Sequence, residues 1–137
     1  MPNGAELVER GDDRWDSARS AWNLAIDQHP AAVAQPGSAD EVAAVVRYAR
    51  ENGLRVAAQA GGHSAGALAG VGEDTLLLKT GRLTGAEIDV ENRRCRVGAA
   101  AKWQDVSALA SPQGLAALSG SSAEVGVVGY MLGGGHG

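Results

Sequence analysis

The chain has 137 residues, 45% of them apolar and 20% charged, which suits a globular domain and not a disordered chain, a coiled coil or a collagen-like fibre. Twelve basic residues against sixteen acidic ones give a net charge of −4, and aromatics make up only 4%. A nucleic-acid surface needs basic residues interleaved with stacking aromatics, and the sequence offers no such stripe, so nucleic acid is not expected as a partner.

Residues 1–21 form a polar N-terminal segment, expected to pack loosely. Trp15 and Trp22, seven apart, fit one face of a short helix there. Pro30 and Pro36 bracket Ala31-Ala32-Val33-Ala34-Gln35, which predicts a short extended segment. Ser38 followed three residues later by Glu41 reads as a capping box worth about 1 kcal/mol. Val42, Val45, Val46 and Ala49 then share one helical face, and Gly53 marks the stop. A strand over Leu54–Ala60 enters Gly61-Gly62-His63-Ser64, and a second apolar strand runs over Thr75–Lys79. Glu87–Val90 and Arg94–Val97 predict a hairpin, with Cys95 and Val97 on one face. Cys95 is therefore expected to be a small buried apolar group. Lys102–Ala110 predicts a helix that buries Trp103, Val106, Leu109 and Ala110 and is closed by Pro112.

Cys95 is the only cysteine, so no intrachain disulfide forms. The start, Met-Pro-Asn-Gly-Ala-Glu, lacks an apolar stretch, and no window nears the roughly 18 apolar residues of a membrane helix. These features predict a cytoplasmic protein with no membrane partner. No metal site is expected, since the three histidines are scattered and no metal-ligand spacing occurs.

Glycine is the outlier, at twenty residues or about twice ordinary usage. All but four of them (Gly4, Gly11, Gly37 and Gly53) lie from Gly61 onward. Two stretches stand out. In Gln59-Ala60-Gly61-Gly62-His63-Ser64-Ala65-Gly66, paired glycines after a strand allow backbone N–H groups to converge on an anion, with His63 at the lip and Ser64 adding a donor. A plain loop accounts equally well for this stretch taken alone. In Ser119–Gly137, Gly126, Gly129 and Gly133 recur at three and four, giving a face on which a flat ligand or another backbone can lie. Close packing of a short helix on a sheet is the alternative. Neither stretch contains the dinucleotide fingerprint or a P-loop. The apolar run before Gly133-Gly134-Gly135-His136-Gly137 suggests a functional loop, and hence an incomplete piece of a longer protein.

Taken in order, these pieces resemble the N-terminal part of FAD-linked oxidases of the vanillyl-alcohol-oxidase superfamily, most closely the berberine-bridge-enzyme-like branch. Pro30–Pro36 resembles the family's opening strand and Ser38–Gly53 its first helix. Gly61–Ser64 is similar to its flavin-attachment loop, Thr80–Leu83 to the segment after the next strand, and Arg96–Trp103 to its strand-to-helix junction. Gly120–Gly137 is similar to its second flavin loop. The resemblance implies an α+β fold: residues 22–137 as the first subdomain of a PCMH-type FAD-binding domain plus the start of the second, truncated.

The cofactor implied is FAD, bonded through a ring nitrogen of His63 to the flavin's 8α carbon, which requires a neutral imidazole nitrogen. The implied cofactor-binding residues are Gln59, Ala60, Gly61, Gly62, His63, Ser64 and Gly66 in the first loop. In the second they are Gly120, Ser121, Ser122, Val125, Gly126, Gly129, Gly133, Gly134, Gly135 and Gly137, with His136 at a variable position. Ser122 stands where part of the branch carries a second, cysteinyl attachment, so a single covalent link is expected. Gln59 replaces an arginine common in relatives. The parent reading is an FAD-dependent oxidoreductase of a small alcohol, sugar or amine, with dioxygen as a permitted acceptor. No catalytic base is expected within this chain, and the chain alone is expected to be inactive and poorly soluble. The competing class is a nucleotide- or phosphate-binding module without redox chemistry.

Overall fold

Thr75-Leu76-Leu77-Leu78 has almost no polar face, so a strand made from it must be covered on both sides. The computed structural model, which describes residues 4–135, places it at the heart of a sheet. The chain divides into two compact units, Met1–Arg82 and Leu83–Gly137.

The first unit runs β1 (Glu6–Glu9), α1 (Trp15–Arg19), β2 (Ala32–Gln35), α2 (Ala39–Glu51), β3 (Arg55–Gln59), a 3-10 turn over Ala65–Leu68, and β4 (Thr75–Lys79). Its sheet has the order β1-β2-β4-β3. β1 is antiparallel to β2, whereas β4 pairs in parallel with β2 on one side and β3 on the other. Alternation along the strands divides the core between two faces. Ala34, Leu76 and Leu78 meet Val45 and Ala49 of α2, with Val42 and Tyr48 at the margin. Val33 and Leu77 meet Val8 and Ala18 on the other face, with Trp15 of α1 alongside. Leu76 and Leu77 are fully buried, a gain of roughly 1.5–3 kcal/mol each.

Four expectations change in this unit. The N-terminal segment is not loosely packed: β1 lines the sheet edge, and Val8 is completely buried. Leu7 and Val8 are adjacent and point to opposite faces between flanking glutamates, a pattern too short to show period-two alternation. Trp22 is not on a helix with Trp15, because α1 ends at Arg19 and Ser20 is extended. The capping box of α2 is half formed. Ser38 Oγ accepts from Glu41 N–H at 3.2 Å, but the Glu41 carboxylate takes the Gly37 N–H at 2.8 Å instead of that of Ser38. Gly53 closes the helix at φ +67, as expected of a C′ glycine. Val46, counted on the apolar face, is 46% exposed.

The second unit holds β5 (Ala86–Asp89), β6 (Arg94–Val97), α3 (Trp103–Ala110), a 3-10 turn over Ser111–Gln113, and α4 (Val127–Leu132). β5 and β6 form the expected hairpin, with Arg93 at φ 50 in its turn. Trp103, Val106 and Val127 form the core, bordered by Ala86, Val97, Ala117 and Tyr130. Two burial expectations fail. Leu109 is 39% exposed. Cys95 is an exposed free thiol, because the core gathers on α3 and α4, and Arg94, Cys95 and Arg96 are all open to solvent. Pro112 closes α3 by entering the following 3-10 turn, after which Gly114 is left-handed. Among the described residues, no helix is long and apolar enough to cross a membrane.

Candidate functional site

The site in the first unit lies at the carboxyl end of β3. Gln59 ends the strand in register with Lys79 of β4, and the chain then turns through Ala60, Gly61 and Gly62. Gly62 has φ +85, and a Cβ there would stand 2.9 Å from Ala21 Cβ and 3.1 Å from Ala21 Cα. Only glycine fits that position without strain. Gly61, by contrast, faces open space. Segment 21–23 is bound to the turn: Trp22 N–H donates to the Gly61 carbonyl at 2.9 Å, and Asn23 N–H to the Gly62 carbonyl at 3.4 Å. The turn then enters the 3-10 segment, with Ser64 at its N-cap and Gly66 within it, both exposed.

His63 is exposed at the outer edge of this turn. Its imidazole lies 5.2 Å, centroid to centroid, from the Trp22 indole at 47°, and no hydrogen bond to it occurs among the described residues. Beneath the turn the Gln59 side chain is 3% exposed, and neither its oxygen nor its nitrogen has a partner among the described residues. A Cβ on Gly62 would stand 3.0 Å from Gln59 Nε2, so this amide lies directly under the glycine turn. Thr80 Oγ1 is also buried and unpartnered, and Thr80 N–H donates to the Gln59 carbonyl at 3.0 Å. Lys79 Nζ donates to the Ser20 carbonyl at 2.6 Å, and partial burial holds its pKa below the ordinary lysine value. Buried polar groups without partners are rare in native proteins, and two at one sheet end mark this region for a polar ligand or ordered water.

The second stretch belongs to the other unit. Residues 121–125 are exposed, with Ser119, Gly120 and Gly126 half-buried. The loop is held on α3 through Trp103 N–H to the Val125 carbonyl (3.1 Å), Gln104 N–H to Ala123 (2.9 Å) and Val127 N–H to Ala101 (2.9 Å). Gly126 is the N-cap of α4, Gly129 lies within it, and Gly133 is its C-cap. Tyr130 packs edge-on against Trp103, with centroids 5.5 Å apart. Gly134 and Gly135 have φ +91 and +65, and a Cβ on Gly135 would overlap the Tyr130 ring. His136 and Gly137 lie outside the described residues.

Sequence reasoning missed Trp22, Lys79 and Thr80 as members of the first site. Lys79 and Thr80 had a usable signal, as the end of an apolar strand that had to lie beside the strand feeding the glycines. Trp22 had none, being 41 positions from His63 in a segment without periodicity.

The family model of an FAD binding domain matches residues 30–137. Glucooligosaccharide oxidase of Sarocladium strictum is 36% identical over 134 residues, 96% of this chain and 27% of the relative. (R)-6-hydroxynicotine oxidase of Paenarthrobacter nicotinovorans is 32% identical over 96% of this chain and 29% of its own length. Among solved structures, glucooligosaccharide oxidase from Acremonium strictum superimposes with a TM-score of 0.78 at 32% identity, over 96% of this chain and 28% of that one. Its FAD is described as 6-S-cysteinyl, 8α-N1-histidyl. The chain thus spans a little over a quarter of the length of these relatives.

Proposed function

The chain belongs to the family of FAD binding domains, and on that footing we propose that it is the cofactor-holding portion of a flavin-dependent oxidoreductase acting on a small sugar, alcohol or amine. Its relatives include oxidases named for an oligosaccharide and for a hydroxynicotine. When bound, FAD supplies the acceptor for the substrate's hydride, with dioxygen as the acceptor of the electrons in turn.

The residues of the first unit fit such a group. The observation that carries the reading is the exposed His63 imidazole, free of hydrogen bonds among the described residues, on a turn held by the two bonds from segment 22–23 and by the close packing at Gly62. A nucleophilic ring nitrogen for covalent attachment needs that accessibility and that fixity. The open backbone at Gly61 allows close approach by a pyrophosphate, and Gln59, buried under the same turn with its amide unpartnered among the described residues, lies beneath that surface. In this reading Ala60, Ser64 and Gly66 complete the first cradle. Within the second unit, the same reading assigns Gly120, Ser121, Ser122, Val125, Gly126, Gly129, Gly133, Gly134, Gly135 and Gly137 to cofactor binding. Ser122 supplies a hydroxyl where a cysteinyl link would need a thiolate, so attachment is single, through His63. The substrate-facing residues and the catalytic base belong to sequence beyond this chain.

The test is chemical. The protein is expressed with the sequence that continues past residue 137, purified and denatured. Yellow colour should stay with the polypeptide, and His63→Ala should release all of it. Flavin still attached in the His63→Ala protein would remove His63 from its role. A protein that never acquires flavin would favour the nucleotide-binding module without redox chemistry.

A further inference from the structure

We propose that Trp22 is a positioning residue for His63, its indole restricting the imidazole to the orientation in which a ring nitrogen meets the incoming cofactor. The inference rests on the reading of His63 as the attachment point, and it extends that reading to a residue 41 positions away with no recognisable motif.

Three observations on one small patch carry it. Trp22 is 72% exposed, so burial does not explain an indole at this position. Its main chain is nevertheless tightly held: the bonds to Gly61 and Gly62 form two successive rungs, and Ala21 fills the space a side chain at Gly62 would need. The ring so placed meets the His63 ring at 5.2 Å and 47°, within the range of tilted aromatic pairs. His63 makes no hydrogen bond among the described residues, so this ring contact orients it. An unrestrained histidine samples three χ1 wells and a broad two-fold χ2, about six orientations in all. Restricting these to one or two raises the fraction ready to react by roughly three- to six-fold.

The reaction served balances as follows. One bond forms between the imidazole nitrogen and the 8α carbon. The imidazole N–H hydrogen and one 8α hydrogen pass, with one electron pair, to the flavin ring. Dioxygen then removes both hydrogens and the pair as hydrogen peroxide.

The experiment uses apoprotein expressed with its downstream sequence, mixed with FAD and sampled over time for flavin retained after denaturation. Trp22→Phe should attach flavin within about two-fold of the unsubstituted rate. Trp22→Ala and Trp22→Leu should be slower by roughly three- to six-fold. FAD is supplied at saturating concentration, so that rates of attachment and not affinities are compared, and the melting temperature should stay unchanged. In the NMR spectrum of the apoprotein, the ring-current shift of the His63 ring protons should persist in Trp22→Phe and vanish in Trp22→Leu. Should Trp22→Ala fail to fold, the leucine and phenylalanine variants decide. Equal attachment rates in those two, or an unmoved His63 resonance in Trp22→Leu, would overturn the role of Trp22 and leave His63 as the attachment point. Covalent flavin in His63→Ala would overturn both.

Discussion

After β3 the chain turns through Gly62 with Ala21 packed where a side chain would begin, whereas in α4 Gly129 faces open space. The first glycine is demanded by the fold, and next to it stands an exposed imidazole. Nothing among the described residues of the second unit demands the second, which is consistent with the proposal that it clears a surface for the cofactor. A glycine-rich stretch therefore mixes positions that build a turn with positions that clear a surface, and the space around each one tells them apart.

Substitution should break this contrast most sharply at Gly62. Gly62→Ala adds a left-handed non-glycine residue and a 2.9 Å contact with Ala21, a cost of roughly 2–4 kcal/mol. Urea melts should register that loss even without cofactor. Gly61→Ala should leave the same melt unchanged and weaken FAD binding in titrations, since its surroundings are open.

Gly129→Ala should move the other way. An exposed glycine inside a helix costs about 0.5–1 kcal/mol relative to alanine. The apoprotein should gain part of that, visible as slower hydrogen exchange in α4, while FAD binding falls if the glycine face meets the cofactor. Stabilisation with undiminished FAD affinity would remove Gly129 from the site.

The smallest effect expected is an acid sensitivity that differs between the units. In the first unit, Asp12 is held below its ordinary pKa by hydrogen bonds from Arg14, Asp27 by Arg19, and Asp74 by the Thr75 hydroxyl and then Arg55. In the second, Asp89 is lowered by the backbone and side chain of Asn92. A carboxylate whose folded pKa lies below its unfolded value stabilises the protein above the unfolded value. That contribution is lost as pH falls through the folded one. Acidification to about pH 3 should therefore raise hydrogen exchange earlier in residues 4–82 than in residues 83–135. The effect should be small and weakened by salt, because these pairs are solvent-exposed.

Much of the secondary structure is legible from local chemistry. Thr75–Lys79 is a strand because it is a short apolar run, and α2 starts at the Ser38 cap and stops at Gly53. β1 is not legible, because four residues with one apolar side chain on each face become a strand only when β2 offers an edge. The exposure of Cys95 escapes for a related reason: alternation reveals that a ribbon has two faces, but not which of them a core covers.

His63 and the glycines around it could be singled out from sequence, since a paired glycine after a strand and a nucleophilic ring beside it are local facts. Trp22 joined them only through the fold, and the strand end that carries Lys79 and Thr80, visible in the sequence, was assigned its neighbour by the fold. Backbone hydrogen bonds bring residue 22 to residue 61, and parallel pairing sets Lys79 beside Gln59. Local composition determines which conformations a segment can adopt. Only long-range pairing, which depends on the whole sheet closing at once, decides which side chains stand next to one another.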